Sequence, residues 1–178
     1  MSKIKINTGD LIQIPLWGDL GYAYAKYIDL SKYSNMPSLI KVYEYWTDSD
    51  IFDKDKIEDS KYLTQPMLVA GITNILRKGK WRVVGHVQLS EDDERIPHFR
   101  SHEPRWEDEN SAKEWCYIED CNVNKRVKVP FESIRHLERY VAQGTGNIEI
   151  KITMQIIKKE GLEINCQKSW RITYLKDP

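Results

Sequence analysis

Residues 10–16 read Asp-Leu-Ile-Gln-Ile-Pro-Leu, and residues 22–28 read Tyr-Ala-Tyr-Ala-Lys-Tyr-Ile. The isoleucines of the first run fall on one face of an extended chain, because successive strand side chains point to opposite faces. Between the two runs, residues 17–21 supply two glycines and an aspartate, which favour a tight turn. The stretch therefore predicts two strands joined in a hairpin.

The next 60 residues continue the β-rich pattern. Residues 39–46 are rich in β-branched and aromatic side chains and predict a third strand, whereas residues 47–60 are polar and fit a loop or one short helix. Residues 67–76 and 81–89 are apolar runs that flank a short link containing glycine, which predicts a second hairpin. The first 90 residues are thus expected to form a bent sheet or a small barrel.

The carboxy-terminal half predicts one helix and one ribbon. Apolar residues at spacings of three and four run from Phe131 to Val141 and end before Gly144, which indicates a helix. Residues 148–156 then alternate isoleucine or methionine with polar side chains, and residues 162–174 keep the same parity after a turn. This alternation predicts a two-stranded hairpin.

The predicted fold class is α+β and mostly antiparallel β: a bent sheet or small barrel, then a helix and a C-terminal β-hairpin. We expect a single domain over residues 1–178. Its sub-units would be a sheet or barrel at 1–90, an acidic loop at 91–120, and a helix plus ribbon at 121–178.

Composition narrows the class of protein. The chain has 178 residues, of which 40% are hydrophobic and 11% aromatic, so it can bury a core without disulfides. Lys+Arg and Asp+Glu both number 27, so the strongly basic balance of many nucleic-acid-binding domains is missing. No secretion signal, membrane-spanning run or even set of cysteines is evident, which predicts a cytoplasmic protein with reduced thiols.

Charge is nevertheless segregated along the chain. Residues 1–90 carry a net charge of +2, residues 91–120 carry −7, and residues 121–178 carry +5. The acidic segment is either a solvated surface loop or a docking surface for a basic partner. Under the second interpretation its acids and tryptophans bind the partner: Glu91, Asp92, Asp93, Glu94, Trp106, Glu107, Asp108, Glu109 and Trp115.

The sequence offers little catalytic chemistry. His98 and His102 have the four-residue spacing of paired metal ligands on a helix, but prolines bracket them, which favours ordinary loop histidines. Neither Cys116 nor Cys121 lies in a motif that lowers a thiol pKa. A nucleophile elbow, a P-loop and a dinucleotide fingerprint do not occur. We therefore predict no catalytic residue, no metal and no cofactor.

Two stretches together resemble the immunity protein 26 family of bacterial polymorphic toxin systems. The first stretch is Gly9-Asp10-Leu11-Ile12-Gln13-Ile14-Pro15-Leu16, followed by Gly21-Tyr22-Ala23-Tyr24-Ala25. The second is Gly79-Lys80-Trp81-Arg82-Val83-Val84-Gly85-His86, followed by Pro97 and Phe99, which is similar to the family's Trp-x-x-Ile/Val-Gly and Pro-x-Phe signatures. The resemblance covers residues 8–103.

The resemblance implies a non-enzymatic protein that binds a cognate bacterial toxin in the cytoplasm and neutralises it by protein–protein contact. A nuclease toxin would suit the acidic segment, because the cleft in which such a toxin binds phosphate is basic. Two alternatives stay open. One is a nucleic-acid-associated β-barrel module with a basic footprint of Lys125, Arg126, Lys128, Arg135, Arg139 and Lys151. The other is a metal-dependent enzyme that uses His98, His102 and a carboxylate.

Overall fold

A computed structural model describes residues 5–104 and 109–161. The strands are β1 Asp10–Pro15, β2 Tyr22–Asp29, β3 Ser38–Thr47, β4 Met67–Ala70, β5 Arg82–His86, β6 Phe99–Glu103, β7 Glu114–Ile118, β8 Arg126–Lys128 and β9 Gln143–Gly144. The helices are α1 Lys54–Glu58, α2 Ile72–Arg77, α3 Glu91–Glu94, α4 Phe131–Ile134 and α5 Thr145–Glu160. Short 3₁₀ turns at Glu109–Ser111, Glu119–Cys121 and Val123–Lys125 flank β7 and precede β8.

The strands form two sheets. The larger has the order β5-β1-β2-β3-β4-β9, and only the β4–β9 pair is parallel. The smaller is antiparallel, with the order β6-β7-β8. The predicted α+β class with mostly antiparallel strands is confirmed. Of the two N-terminal alternatives the open sheet is observed, since the described strands do not close into a barrel.

The first hairpin is confirmed. β1 pairs with β2 in antiparallel register, with Leu11 opposite Lys26 and Gln13 opposite Tyr24. Gly21 has a φ of 90°, and a Cβ atom there would overlap the Thr47 backbone carbonyl at the end of β3. Only glycine combines that dihedral with that close approach, so this residue fixes where β2 begins beside β3.

Both faces of the larger sheet are buried. On its first face, Ile12, Ile14, Ala25 and Val42 pack against α2, α5 and the fully buried Trp81. The Trp81 indole N–H donates to Glu149 Oε1 at 2.8 Å, which joins the strand β5 region to α5.

The second face is covered by different elements. Leu11, Tyr24 and Tyr43 pack there with Ile57 of α1. Further along the same face, Ile28 and Leu39 pack against Phe99 and Ile118 of the smaller sheet. The sheet therefore lies between α2 and α5 on one side and α1, α3 and the smaller sheet on the other.

The predicted hairpin over residues 67–89 is wrong. Residues 67–76 divide into β4 and α2, because Gly71 adopts a left-handed φ of 75° that turns the chain out of the strand. Ile72, Ile75 and Leu76 are then buried at helical spacing. β5 pairs with β1 instead of β4.

The predicted helix over residues 131–141 ends early. α4 stops at Ile134, and the following backbone bonds to β6: Arg100 N donates to Glu138 O at 2.9 Å, and Tyr140 N donates to Arg100 O at 2.8 Å. An extended segment thus replaces the last turns of the predicted helix because the edge of β6 offers it hydrogen-bond partners.

The predicted strand over residues 148–156 is also wrong. These residues lie in α5, where Ile148, Ile152 and Ile156 are four apart and buried on one helix face. Gly144, predicted to stop a helix, precedes one. The second predicted strand, 162–174, lies outside the described residues.

The acidic segment is more ordered than a surface loop. It contains α3, β6 and β7, and Ser90 caps α3 at its amino end. Of the helices described, none has both the length and the apolar character that crossing a bilayer would need.

Helix α5 can be distinguished from a strand by two substitutions. Ile152 is 0% exposed and Ile150 is partly exposed, although a strand would place both on the same face. Ile152→Ala should lower the free energy of unfolding by about 2–5 kcal/mol, and Ile150→Ala by clearly less. Urea denaturation followed by tryptophan fluorescence measures both; equal losses would contradict the helix.

Candidate functional site

Two lysines lie directly opposite each other on the buried second face of the larger sheet. Lys26 of β2 pairs in register with Lys41 of β3, and their side chains are 5% and 4% exposed. Like charges in such a cross-strand pair repel, and each is costly to remove from water. The pair therefore needs an anion at this point of the sheet.

Asp93 of α3 supplies that anion. Its carboxylate lies 2.5 Å from Lys26 Nζ and 3.0 Å from Lys41 Nζ, and its side chain is fully buried. The Tyr62 hydroxyl donates to Oδ1 at 2.9 Å, and the Ser90 backbone N–H and hydroxyl each donate to Oδ2 at 2.9 Å. Five donors thus satisfy one carboxylate, and we call this set of residues the Asp93 network.

The lysines have further acceptors of their own. Lys26 Nζ donates to the Gln88 carbonyl at 3.0 Å, and Lys41 Nζ donates to the Asp92 carbonyl at 2.9 Å. Both ammonium groups are therefore bonded to backbone around α3 as well as to the carboxylate. The network ties the sheet to the whole segment from Gln88 to Asp93.

The network holds Asp93 ionised. Burial by itself raises the pKa of Asp93, but hydrogen bonds from Lys26, Ser90, Lys41 and Tyr62 outweigh it and hold the pKa well below its ordinary value. Burial and the bond to Asp93 raise the pKa of Tyr62, so its hydroxyl keeps its proton and remains a donor.

Burial of Asp93 divides the acids of α3 into two groups. Asp93, one of the predicted contact residues, points into the protein, and its side chain is fully buried. Glu91, Asp92 and Glu94 are exposed, and we call these three residues the acidic rim. Asp92 reaches Lys41 at 3.4 Å but is 69% exposed, while Glu91 and Glu94 make no ion pair within the described part of the chain.

Most of the other acids in the −7 segment are neutralised locally. Ion pairs join Glu103 to Arg126 at 2.7 Å and Glu114 to Lys128 at 2.7 Å. Lys125 likewise lies 3.4 Å from Asp120. The acidic and basic segments of the sequence therefore meet across the smaller sheet, and much of the apparent segregation cancels there.

Glu109 and Trp115 belong to an aromatic and ionic cluster beside the smaller sheet. Glu109 Oε1 lies 3.3 Å from Arg100 and 3.0 Å from Arg139. Trp115 stacks on Phe131 with ring centroids 4.3 Å apart, and the Arg100 guanidinium lies over both rings. Both predicted contact residues thus fasten neighbouring segments together. Trp106, Glu107 and Asp108 lie outside the described residues.

The predicted basic footprint is also neutralised. Lys125, Arg126, Lys128 and Arg139 take part in the pairs above, Lys151 is paired with Glu138, and Arg135 lies 3.9 Å from Glu132. Phosphate contacts need cations that are free to replace counter-ions. The arrangement therefore does not favour a nucleic-acid surface.

The histidines and cysteines do not gather into a site. His98 precedes β6 and is exposed, whereas His102 within β6 is buried. The two are four positions apart along an extended chain, so their Cα atoms lie roughly 13 Å apart. Within residues 5–104 and 109–161, no three His, Cys, Asp or Glu side chains are grouped as metal ligands would be. Burial raises the pKa of Cys121 to about 12 and also raises that of Cys116, so both stay protonated thiols.

A cleft of about 740 Å³ opens beside the Asp93 network. Lys41, Tyr62 and Asp92 belong to both. Residues 62–66 and 95–98 form one part of its wall, and the region after α4 together with α5 forms the other. The cleft and the acidic rim lie side by side and form the candidate partner-binding surface.

Sequence reasoning missed Lys26, Lys41 and Tyr62. A signal was present, since both lysines interrupt strands that are otherwise apolar on either side: Ala25-Lys26-Tyr27 and Ile40-Lys41-Val42. A lysine inside a strand buried on both faces requires an anionic partner. The Ser90-x-x-Asp93 spacing also resembles a capping box and could have indicated α3.

Fold and site together describe an α+β protein with a charged cleft beside an acidic rim. The chain belongs to the Immunity protein 26 family, which matches residues 7–109, more than half of its length. Membership makes it an immunity protein, which acts against a toxin. The chain has no match among curated proteins or among solved structures.

The Asp93 network can be tested against its exposed neighbour. Asp93→Asn should cost about 3–5 kcal/mol of unfolding free energy, because it leaves two buried lysines without their anion. Asp92→Asn removes an exposed partner of the same Lys41 and should cost within about 1 kcal/mol. Chemical denaturation at neutral pH measures both, and comparable losses would contradict a buried network.

The cost of Asp93→Asn should also depend on pH. Because the pKa of folded Asp93 lies below the ordinary value of 3.8, the ionised carboxylate stabilises the protein fully above that value. This contribution is lost as pH falls towards the folded pKa. The difference in unfolding free energy between wild type and variant should therefore narrow below pH 3.8, and a constant difference down to acid pH would contradict the assignment.

Proposed function

We propose that this protein binds and neutralises a cognate bacterial toxin in the cytoplasm by protein–protein contact, without catalysis. The acidic rim and the cleft beside it would form the contact surface. Family membership supports the toxin as partner. The observation that carries the choice of surface is that Asp93 fixes α3 to the sheet while Glu91 and Glu94 project into solvent without ion-pair partners among the described residues.

A second acidic segment adds to this surface. Residues 48–59 contain six acids, all exposed, against two lysines. α1, within this segment, packs through Ile57 against Tyr43, whose ring lies 5.2 Å from that of Tyr62, a member of the Asp93 network. Both acidic segments therefore lie on the second face of the sheet, although 31 residues separate them in sequence.

A basic partner suits such a surface. Clustered charge of one sign speeds association with an oppositely charged protein and rejects partners of like charge. A nuclease toxin binds phosphate through a basic cleft, so we propose that the target is a nuclease toxin. The rigid attachment of α3 favours binding further, because a preorganised surface loses little conformational freedom on association.

Charge reversal at the rim tests the proposal. The double variant Glu91→Lys, Glu94→Lys should slow association with the cognate toxin domain by roughly tenfold or more at low salt, with the difference shrinking at high salt. Stopped-flow association kinetics at two salt concentrations measure the rate. Growth rescue on co-expression with the toxin domain measures protection.

The matched control carries the same change in net charge elsewhere. Glu132→Lys with Glu160→Lys alters two exposed acids, at α4 and at the end of α5. This control should associate nearly as fast as the wild type. Equal slowing by both double variants would show an effect of overall charge and count against the rim as contact surface.

A further inference from the structure

The cleft is lined by both apolar and polar side chains. Leu63, Pro66, Ile96, Pro97 and Leu137 contribute its apolar surface. Its volume of about 740 Å³ falls in the range that takes a few side chains or a small ligand. The wall formed by residues 62–66 and 95–98 comes from the family segment, and the opposite wall comes from residues after position 109.

The carboxylates in the cleft already have partners. Asp92 lies 3.4 Å from Lys41, and Glu138 is paired with Lys151. Glu138 and Lys151 neutralise each other within the cleft. Asp92 shares Lys41 with Asp93, and its exposed carboxylate belongs to the acidic rim.

The donors in the cleft are in excess. Arg95 is exposed and makes no ion pair or side-chain hydrogen bond with the described residues. The Thr64 hydroxyl finds no hydrogen-bond partner in the same part of the chain, although its oxygen is buried. A buried hydroxyl without a hydrogen-bond partner is unfavourable, so Thr64 is a second donor in the cleft lining that an occupant can satisfy.

We propose that the cleft receives a loop of the partner toxin that presents an aspartate or glutamate side chain to Arg95. Thr64 provides a second donor to the same loop. The apolar side chains that line the cleft pack against the aliphatic parts of that loop. This inference rests on the proposed function and deepens it, because it assigns Arg95 as the residue of the immunity protein that binds an acidic group on the toxin.

Arg95 adds specificity to the acidic rim. Glu94 and Arg95 are adjacent in sequence, so the surface presents a negative region directly beside an arginine that has no ion-pair partner among the described residues. A partner must therefore carry a basic patch next to an acidic side chain. A uniformly anionic molecule such as nucleic acid matches only half of this pattern and is repelled by the other half.

A peptide titration tests the cleft without the toxin. The probes are acetyl-Gly-Glu-Gly-amide, its Gln counterpart and acetate, each added up to about 10 mM to the ¹⁵N-labelled full chain. We expect saturable shifts at the amides of Thr64 and Arg95, several-fold tighter for the Glu peptide than for the Gln peptide. Arg95→Gln should remove that difference, whereas Arg135→Gln, which replaces an exposed arginine at the end of α4 outside the cleft lining, should keep it.

Three results of this titration would overturn the proposal. One is the absence of saturable shifts at the cleft. Another is equal binding of the Glu and Gln peptides. The third is acetate binding as tight as that of the Glu peptide, which would make the cleft a site for small anions.

The toxin domain itself provides the second arm. Arg95→Gln should weaken binding of the cognate toxin domain by about tenfold or more, and Arg135→Gln should not. If the wild type binds the toxin and Arg95→Gln binds equally well, the cleft proposal fails while the proposed function stands. If the wild type does not bind the toxin, the proposed function fails, and the peptide titration alone decides whether the cleft recognises a carboxylate.

Discussion

The structure depends on one buried carboxylate. Asp93 lies between Lys26 and Lys41, two lysines that face each other across neighbouring strands in the interior of the sheet. Removing three charges from water is costly, and such networks often add little net stability compared with a packed apolar core. Their effect is on specificity, because only one placement of α3 lets a carboxylate meet both ammonium groups. The network therefore decides where the acidic segment lies on the sheet.

That placement links fold to function. The sequence Glu91-Asp92-Asp93-Glu94 resembles a uniform acidic surface run, but one of its members anchors the other three. The acidic rim is consequently held by buried contacts on a sheet that is covered on both faces. A rigid, charged surface of this kind suits an inhibitor, whose affinity comes from complementarity without any chemical step.

Local patterns in the sequence predicted the β1–β2 hairpin and β3, because short-range alternation and a glycine turn determine them. The alternation at residues 148–156 was misleading, since isoleucines at every second position also place Ile148, Ile152 and Ile156 four apart on a helix. Pairing of β5 with β1 joins residues about 70 apart, and no local pattern encodes it. Asp93 was counted with the surface acids because composition does not reveal which acid meets a buried lysine.

The segregation of charge along the sequence was counted correctly, but in the folded protein oppositely charged segments lie close together. Arg126 and Lys128 of β8 lie beside acids of β6 and β7, so the pairs Glu103–Arg126 and Glu114–Lys128 cancel part of the −7 charge. Among the described residues, we propose that the acidic rim, the acids of residues 48–59 and Arg95 are the charges that meet a partner. We also propose that residues 5–161 form one unit, since α5, beyond the family segment, packs into the same core as Ile12 and Trp81.

Hydrogen–deuterium exchange on the full chain, with and without the cognate toxin domain, shows whether the toxin binds the surface that Asp93 holds in place. If the toxin binds the surface that Asp93 holds in place, amides of residues 62–66 and 91–98 gain protection in the complex. The outer edge of β5, on the far side of the sheet order, keeps its free exchange rates. Protection confined to β5 or to the smaller sheet, with residues 91–98 unchanged, would show that the toxin binds elsewhere on the protein.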